Sequence, residues 1–202
     1  MIEPGSAPWS AVDAAELYDV ARWSEGYFSV GDDGNLLVHP ERDPRRSIDL
    51  KGLADQLQLR GLDVPVLLRF DGIIRDRLQV LNDAFASAIG EYGYGGKYSC
   101  VYPIKVNQQR EVVEKVVQFG RQFGFGLEAG SKTELLAVVA MTDDQIPIIC
   151  NGFKDAEYIE MALLAQNVGR RVILVVEKYT ELDLILRCAE RIGMRPVLGM
   201  RV

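Results

Sequence analysis

The sequence has 202 residues, 48% hydrophobic and 26% charged, the composition of a globular chain with room for one sizeable core and a small second lobe. Its net charge of −6 argues against a nucleic-acid partner, which needs a basic face, and no run approaches the roughly 18 apolar residues of a membrane span. Cys100, Cys150 and Cys188 lie far apart without CxxC or CxxH spacing, so they read as small buried hydrophobes in a reducing compartment rather than as a disulfide framework or zinc site.

Met1 to about Pro8, rich in Pro, Gly, Ser and Ala, reads as a loose end, and no basic stretch followed by an apolar one marks a secretory signal. The cytoplasm is therefore the expected location. From Tyr18 the chain predicts a short helix and then a hairpin, with strands Tyr27–Val30 and Leu36–His39 joined through Asp33-Gly34. His39, the sole histidine, sits at a strand end, where a structural or solvated role outweighs a catalytic one. "SIDLKGLADQLQLRG" predicts a helix with Ile48, Leu50, Leu53, Leu57 and Leu59 mostly on one face and Gly61 at its end. "DVPVLLRFDG" predicts a strand, and "IIRDRLQVLNDAFASAIGEYGYGG" a long amphipathic helix closed by a Gly/Tyr-rich loop.

A regular alternation follows. Strands are predicted at 98–104, 125–128, 146–151, 171–177 and 196–201, with helices at 108–123, 131–141, 155–167 and 179–192 between them. The strands are apolar almost throughout ("PIIC", "VILVV", "PVLGM"), which suits strands covered on both faces, and the alternation implies a parallel sheet wrapped by helices. The fold class is thus α/β. Residues 1–70 form a small α+β amino-terminal segment, and residues 71–202 either an open doubly wound sheet or a partial (β/α)8 TIM barrel of about five βα units. The even period and short connections favour the barrel, and no GxGxxG or P-loop supports a nucleotide-binding sheet. A closed barrel needs about eight strands, so the sequence is expected to be a truncated piece, inactive and aggregation-prone alone.

In a barrel, chemistry gathers at the carboxyl ends of the strands. Those ends read Lys105-Val106-Asn107, Glu128-Ala129-Gly130-Ser131, Asn151-Gly152, Glu177-Lys178 and Arg201. Any one could simply meet solvent, but together they converge. Lys105 is the sharpest, because it interrupts the apolar run "SCVYPIKVNQQ". A lysine at an apolar mouth loses hydration, which favours the neutral amine, and a neutral amine condenses with aldehydes. Snorkelling to water is the plain alternative.

"VYPIKVNQ", with Tyr102, Lys105 and Asn107 in a Y-x-x-K-x-N run, resembles the cofactor-lysine motif of the barrel-type pyridoxal-phosphate enzymes, the group of alanine racemase and the ornithine, diaminopimelate and arginine decarboxylases. "GFGLEAGSKTEL" resembles the second-strand signature of the decarboxylases, and with "RWSEGYFSV" the three stretches resemble the biosynthetic arginine decarboxylase branch over about 18–202. The resemblance implies decarboxylation of L-arginine to agmatine, a step toward putrescine and spermidine. It implies pyridoxal 5'-phosphate held by Lys105 as a Schiff base, with Glu128 and Arg201 close to the cofactor. It allows for Mg2+ and implies a homo-oligomer for the full-length protein. Arg201 could equally be a plain surface arginine. Ser131 and Glu134 match the "SKTE" run, but an N-cap Ser131 closed by Glu134 into a capping box is the better-supported role.

The parts that the resemblance would place beyond Val202 are a ring-stacking histidine, a glycine-rich phosphate loop, an acidic partner for the pyridine nitrogen and a carboxy-terminal β-domain. The alternatives are an ornithine or diaminopimelate decarboxylase and a non-catalytic pyridoxal-phosphate-binding homologue. The retained Lys105 weakens the last of these.

Overall fold

The computed structural model describes residues 8–202, so Met1–Ala7 of the expected loose end lie outside the described residues. The chain divides into two compact units between Asp76 and Arg77.

In the first unit, Ser10 starts helix α1 (Ala11–Leu17) with a capping box: its hydroxyl accepts the Asp13 N–H, and its own N–H donates to the Asp13 carboxylate at 2.7 Å. A second helix, α2 (Val20–Ser24), leads to strands β1 (Phe28–Val30), β2 (Leu36–Val38) and β3 (Ile48–Asp49), paired antiparallel in that order. The hairpin appears where its turn residues place it, with Gly34 at φ +82°. Ile48, expected in a helix, instead pairs with Val38, and Asp49 caps helix α3 (Leu50–Leu59) by accepting the Gly52 N–H. Gly61, at φ +80°, ends α3 as the Leu62 N–H reaches back to the Leu57 carbonyl at 3.0 Å. His39 is buried, with Nε2 2.7 Å from Ser29 Oγ. The strand expected at 63–72 does not form, and its last two residues open the next helix. The segment pairs with no other strand among the described residues, and Pro65 has no N–H to give a ladder.

Helix α4 (Asp71–Glu91) is the long amphipathic helix expected. In the second unit its Phe85 stacks on Tyr98, with ring centroids 3.7 Å apart. The βα repeat then runs β4 (Val101–Pro103), α5 (Arg110–Gly120), β5 (Gly126–Ala129), α6 (Lys132–Met141), β6 (Pro147–Cys150), α7 (Ala156–Asn167), β7 (Arg171–Val176), α8 (Tyr179–Ile192) and β8 (Leu198–Met200). All five strands are parallel and lie side by side in sequence order. A doubly wound sheet reverses strand order at a switch point, and none occurs among the described residues.

Residues paired across parallel strands share a face of the sheet. The row Tyr102–Leu127–Ile148–Val172 and the row Ala129–Cys150–Leu174 belong to one face. They merge with Val113 of α5, Leu135 and Val138 of α6, Ile159 and Leu163 of α7 and Ile185 of α8 into one core. All four helices therefore cover the same face, as in a barrel wall. Each fully buried Leu or Ile of this layer contributes roughly 1.5–3 kcal/mol. The opposite face carries the row Pro103–Glu128–Ile149–Ile173 and, one step on, Val175 beside Gly199. These residues are only half-buried, so the expectation of strands covered on both faces is corrected. Their apolar character belongs to the concave side of a barrel wall, which five strands leave open among the described residues. Cys150 and Cys188 are buried as expected, whereas Cys100 is half-buried and burial pushes the Cys150 thiol up to about 11, far from a nucleophilic thiolate. No helix among the described residues is long and apolar enough to cross a membrane.

Candidate active site

Lys105 does not sit in the strand. The ladder stops at Pro103, which lacks the N–H to continue it, and Ile104–Val106 turn into a single 3-10 helix. Ile104 anchors this turn in the core, 4% exposed, while Lys105 is exposed and has no hydrogen-bond or ion-pair partner among the described residues. The desolvation expected of Lys105 is therefore not supplied by residues 8–202. The open concave side leaves nothing to exclude water from it.

The rest of the Y-x-x-K-x-N run shapes the turn. The Tyr102 hydroxyl donates to the Asn107 carbonyl at 3.2 Å, closing a loop of chain around Lys105. Burial raises the Tyr102 phenol, so it remains a donor. Asn107 Oδ1 accepts the Gln109 N–H at 3.0 Å just before α5.

Glu128 lies in β5, half-buried in the concave row between Pro103 and Ile149. Beyond it, Ser131 caps α6 by accepting the Glu134 N–H. Glu134 does not close the expected capping box on Ser131. Its Oε2 accepts the Gly130 N–H at 2.8 Å, one residue earlier. A methyl group on Gly130 would lie 3.6 Å from Glu134 Oε2 and 3.8 Å from Glu128 Oε1, which puts both carboxylates beside this turn. Tyr158, buried under the same turn, donates to the Ala129 carbonyl at 2.7 Å, and burial raises its phenol strongly.

Arg201, just past β8, is exposed and donates through Nη1 to Glu177 Oε1 at 3.2 Å. The same Glu177 oxygen accepts the Gly152 N–H at 2.9 Å. That N–H, then the positive charge of Lys154 and the Arg201 guanidinium, hold the Glu177 carboxyl below its ordinary 4.5 against the opposing effect of burial. Gly152 has φ +79°, and a Cβ there would fall 2.9 Å from the Gly130 carbonyl oxygen. Only glycine fits where the β5 and β6 exits touch.

The exits thus form two connected groups and one free amine. Glu128, Gly130 and Glu134 lie together, as do Gly152, Glu177 and Arg201, and no hydrogen bond links Lys105 to Glu128 or Arg201. The bonds Gln108–Glu134, Gly152–Glu177, Lys154–Glu181 and Glu177–Arg201 join residues 24 to 27 apart, about one βα repeat each. Sequence reasoning passed over Lys154, whose side chain is fully buried against Glu181. The available signal was that spacing, since Lys154 and Glu181 follow their strands at nearly the same place in successive repeats. No group of three His, Cys, Asp or Glu side chains among the described residues is arranged to hold a metal ion.

A singly wound parallel wall whose strands exit through ionisable groups along its carboxyl rim is part of a (β/α)8 barrel, the architecture that builds its active sites there. Comparison with known proteins agrees and is more specific. The family described as pyridoxal-dependent decarboxylase, pyridoxal binding domain, matches residues 75–202. A biosynthetic arginine decarboxylase of Rhodopirellula baltica is 59% identical over 96% of this chain, and one of Gloeobacter violaceus 50% identical over 96%. The crystal structure of the biosynthetic arginine decarboxylase SpeA from Campylobacter jejuni superposes with a TM-score of 0.81 at 31% identity, covering 91% of this chain and 30% of that one. The chain belongs to the pyridoxal-dependent decarboxylases, and residues 75–202 correspond to their pyridoxal-binding domain. It spans 29% and 30% of the length of the two curated relatives.

Proposed function

We propose that the full-length protein decarboxylates L-arginine to agmatine and CO2 with pyridoxal phosphate, as a homo-oligomer in the cytoplasm, and that residues 8–202 supply the lysine and part of the wall of its site. The observation that carries this reading is the braced turn. Tyr102 and Asn107 fix the chain on either side of Lys105, yet its amine is left without a partner. A lysine kept only for solubility needs no such support.

The donor set fits a planar, anionic, aldehyde-bearing aromatic. It offers a free amine, an apolar concave floor of Ile149, Ile173 and Val175, a carboxylate at Glu128 and a guanidinium at Arg201. Lys105 is the amine that holds the aldehyde. When bound, the cofactor ring accepts the electron pair left as the Cα–CO2 bond breaks, and one proton must then reach Cα. Glu128 and Arg201 stand on the same rim with opposite charges, so they orient a zwitterionic guest and balance charge as its carboxylate departs. Glu177 keeps Arg201 at the rim and, held below 4.5 by the Gly152 N–H first, stays anionic at neutral pH.

Arginine is favoured over ornithine and diaminopimelate by the names of the relatives, and the retained Lys105 favours an enzyme over a non-catalytic homologue. The test is to offer the purified full-length protein, loaded with pyridoxal phosphate, all three amino acids. Agmatine and CO2 from arginine, well above any product from the other two, are expected. Preference for another amino acid, or no CO2 at all, contradicts the reading.

A further inference from the structure

The second unit holds a deeply buried ion pair, Lys154–Glu181, with side chains 0% and 8% exposed. Burying such charges costs several kcal/mol per ion before their attraction is counted, and an apolar pair of similar size often serves stability as well. The α7–α8 contact does not need the pair, because Ile159, Leu163, Ile185 and Ala189 already pack there in the core. Its hydrogen bonds all run toward the rim. Lys154 Nζ donates to the Gly152 carbonyl at 2.7 Å and to Glu181 Oε2 at 3.3 Å. Glu181 Oε2 accepts the backbone N–H groups of Glu177 at 2.9 Å and Lys178 at 3.4 Å. Glu177 Oε1 in turn accepts the Gly152 N–H, which closes a ring of hydrogen bonds. Within that ring Gly152 is held by both its carbonyl and its N–H, and Glu177 by both its N–H and its carboxylate. Among the described residues, the one side chain hydrogen-bonded to the ring from outside it is Arg201.

We propose that Lys154 and Glu181 are positioning residues for Arg201, acting through Glu177: the buried pair locks the β6 and β7 exits together and presents a fixed carboxylate that sets where the Arg201 guanidinium stands. This rests on the functional reading that Arg201 faces the bound cofactor or substrate. A lost ångström of placement in such a site can cost about a hundredfold in rate.

The test uses the full-length protein in four forms: unsubstituted, Lys154→Met/Glu181→Leu, Arg201→Ala, and all three changes together. Each is measured for thermal midpoint, for pyridoxal phosphate affinity by titrating the apoprotein, and for kcat/KM with L-arginine. The apolar pair is expected to fold with a midpoint near that of the parent. Its cofactor affinity and kcat/KM should fall roughly tenfold to a hundredfold. Because the pair acts through Arg201, adding its replacement to Arg201→Ala should lower neither quantity further. Parent-like values for the folded double variant, or losses that add to those of Arg201→Ala, overturn the proposal. If the double variant does not fold, Glu177→Ala takes its place, with the same non-additivity required. An unsubstituted protein that binds no pyridoxal phosphate defeats the functional reading itself, and that outcome is distinct from variants that merely match an active parent.

Discussion

The Tyr102 hydroxyl and the Asn107 carbonyl are 3.2 Å apart, and the bond between them closes the turn that carries Lys105. One end is a core-facing ring in β4 and the other is the residue that leads into α5. The turn is thereby tied to two packed elements while its central side chain remains free. Tyr102→Phe keeps the ring and removes the bond, so it should cost about 1 kcal/mol in unfolding free energy and weaken cofactor binding by about fivefold. Asn107→Ala should preserve that bond, because the acceptor is the backbone, and lose only the Oδ1 contact to the Gln109 N–H. Urea unfolding and cofactor titration of both variants separate the two effects. Equal loss of cofactor affinity in the two would contradict this assignment.

Gly152 and Gly169 both have positive φ, at +79° and +90°, but a Cβ at Gly169 meets nothing within 4 Å. Gly169→Ala should therefore cost only the backbone strain, about 1 kcal/mol. Gly152→Ala adds a clash with the Gly130 carbonyl and should cost about 3 kcal/mol or more, with a corresponding fall in thermal midpoint. Comparable midpoints for the two variants would show that the β5 and β6 exits can part freely.

The Glu177 carboxyl is held below its ordinary 4.5, chiefly by the Gly152 N–H and then by Lys154 and Arg201. A carboxyl whose folded value is depressed stabilises the fold above its unfolded value, and that contribution is lost as the pH falls from 4.5 through the folded value. The thermal midpoint of the full-length protein should therefore decline below pH 4.5 more steeply than that of Glu177→Gln, and the two slopes should match above it. Parallel curves across pH 3 to 6, a range set to span ordinary carboxylate values of about 4, would remove Glu177 from the acid response.

Much of the second unit was legible because its signals are local and repeated. The apolar strands recur once per βα period, helix α8 occupies 179–192 as expected, and Ser131 and Asp155 cap the helices that they precede. The sequence was misleading where a local preference met a longer-range constraint. Ile104 and Val106 are β-branched and suggested a strand through 104, but Pro103 ended the ladder and a 3-10 turn followed. The apolar 63–70 segment has strand composition and no partner strand. Helix α1 went unread although Ser10-Ala-Val-Asp13 carried its capping box. At the site, Lys105, Glu128 and Arg201 could be placed on one rim from the repeat alone. The equivalent places of Lys154 and Glu181 in successive repeats hinted at their pairing, but the Glu177 link to Arg201 and the burial of that pair depend on strand register and packing that no single segment encodes.

The proposed role of Lys105 is to be the amine that receives the pyridoxal aldehyde. It is tested most directly by reducing the loaded full-length protein with borohydride, which makes a lysine–aldehyde linkage permanent, and mapping the labelled peptide. The expected result is one pyridoxyl label, on Lys105, together with loss of the visible cofactor absorbance in Lys105→Ala. A label on Lys97, Lys132 or Lys154 instead, or a Lys105→Ala protein that keeps the absorbance, would contradict it.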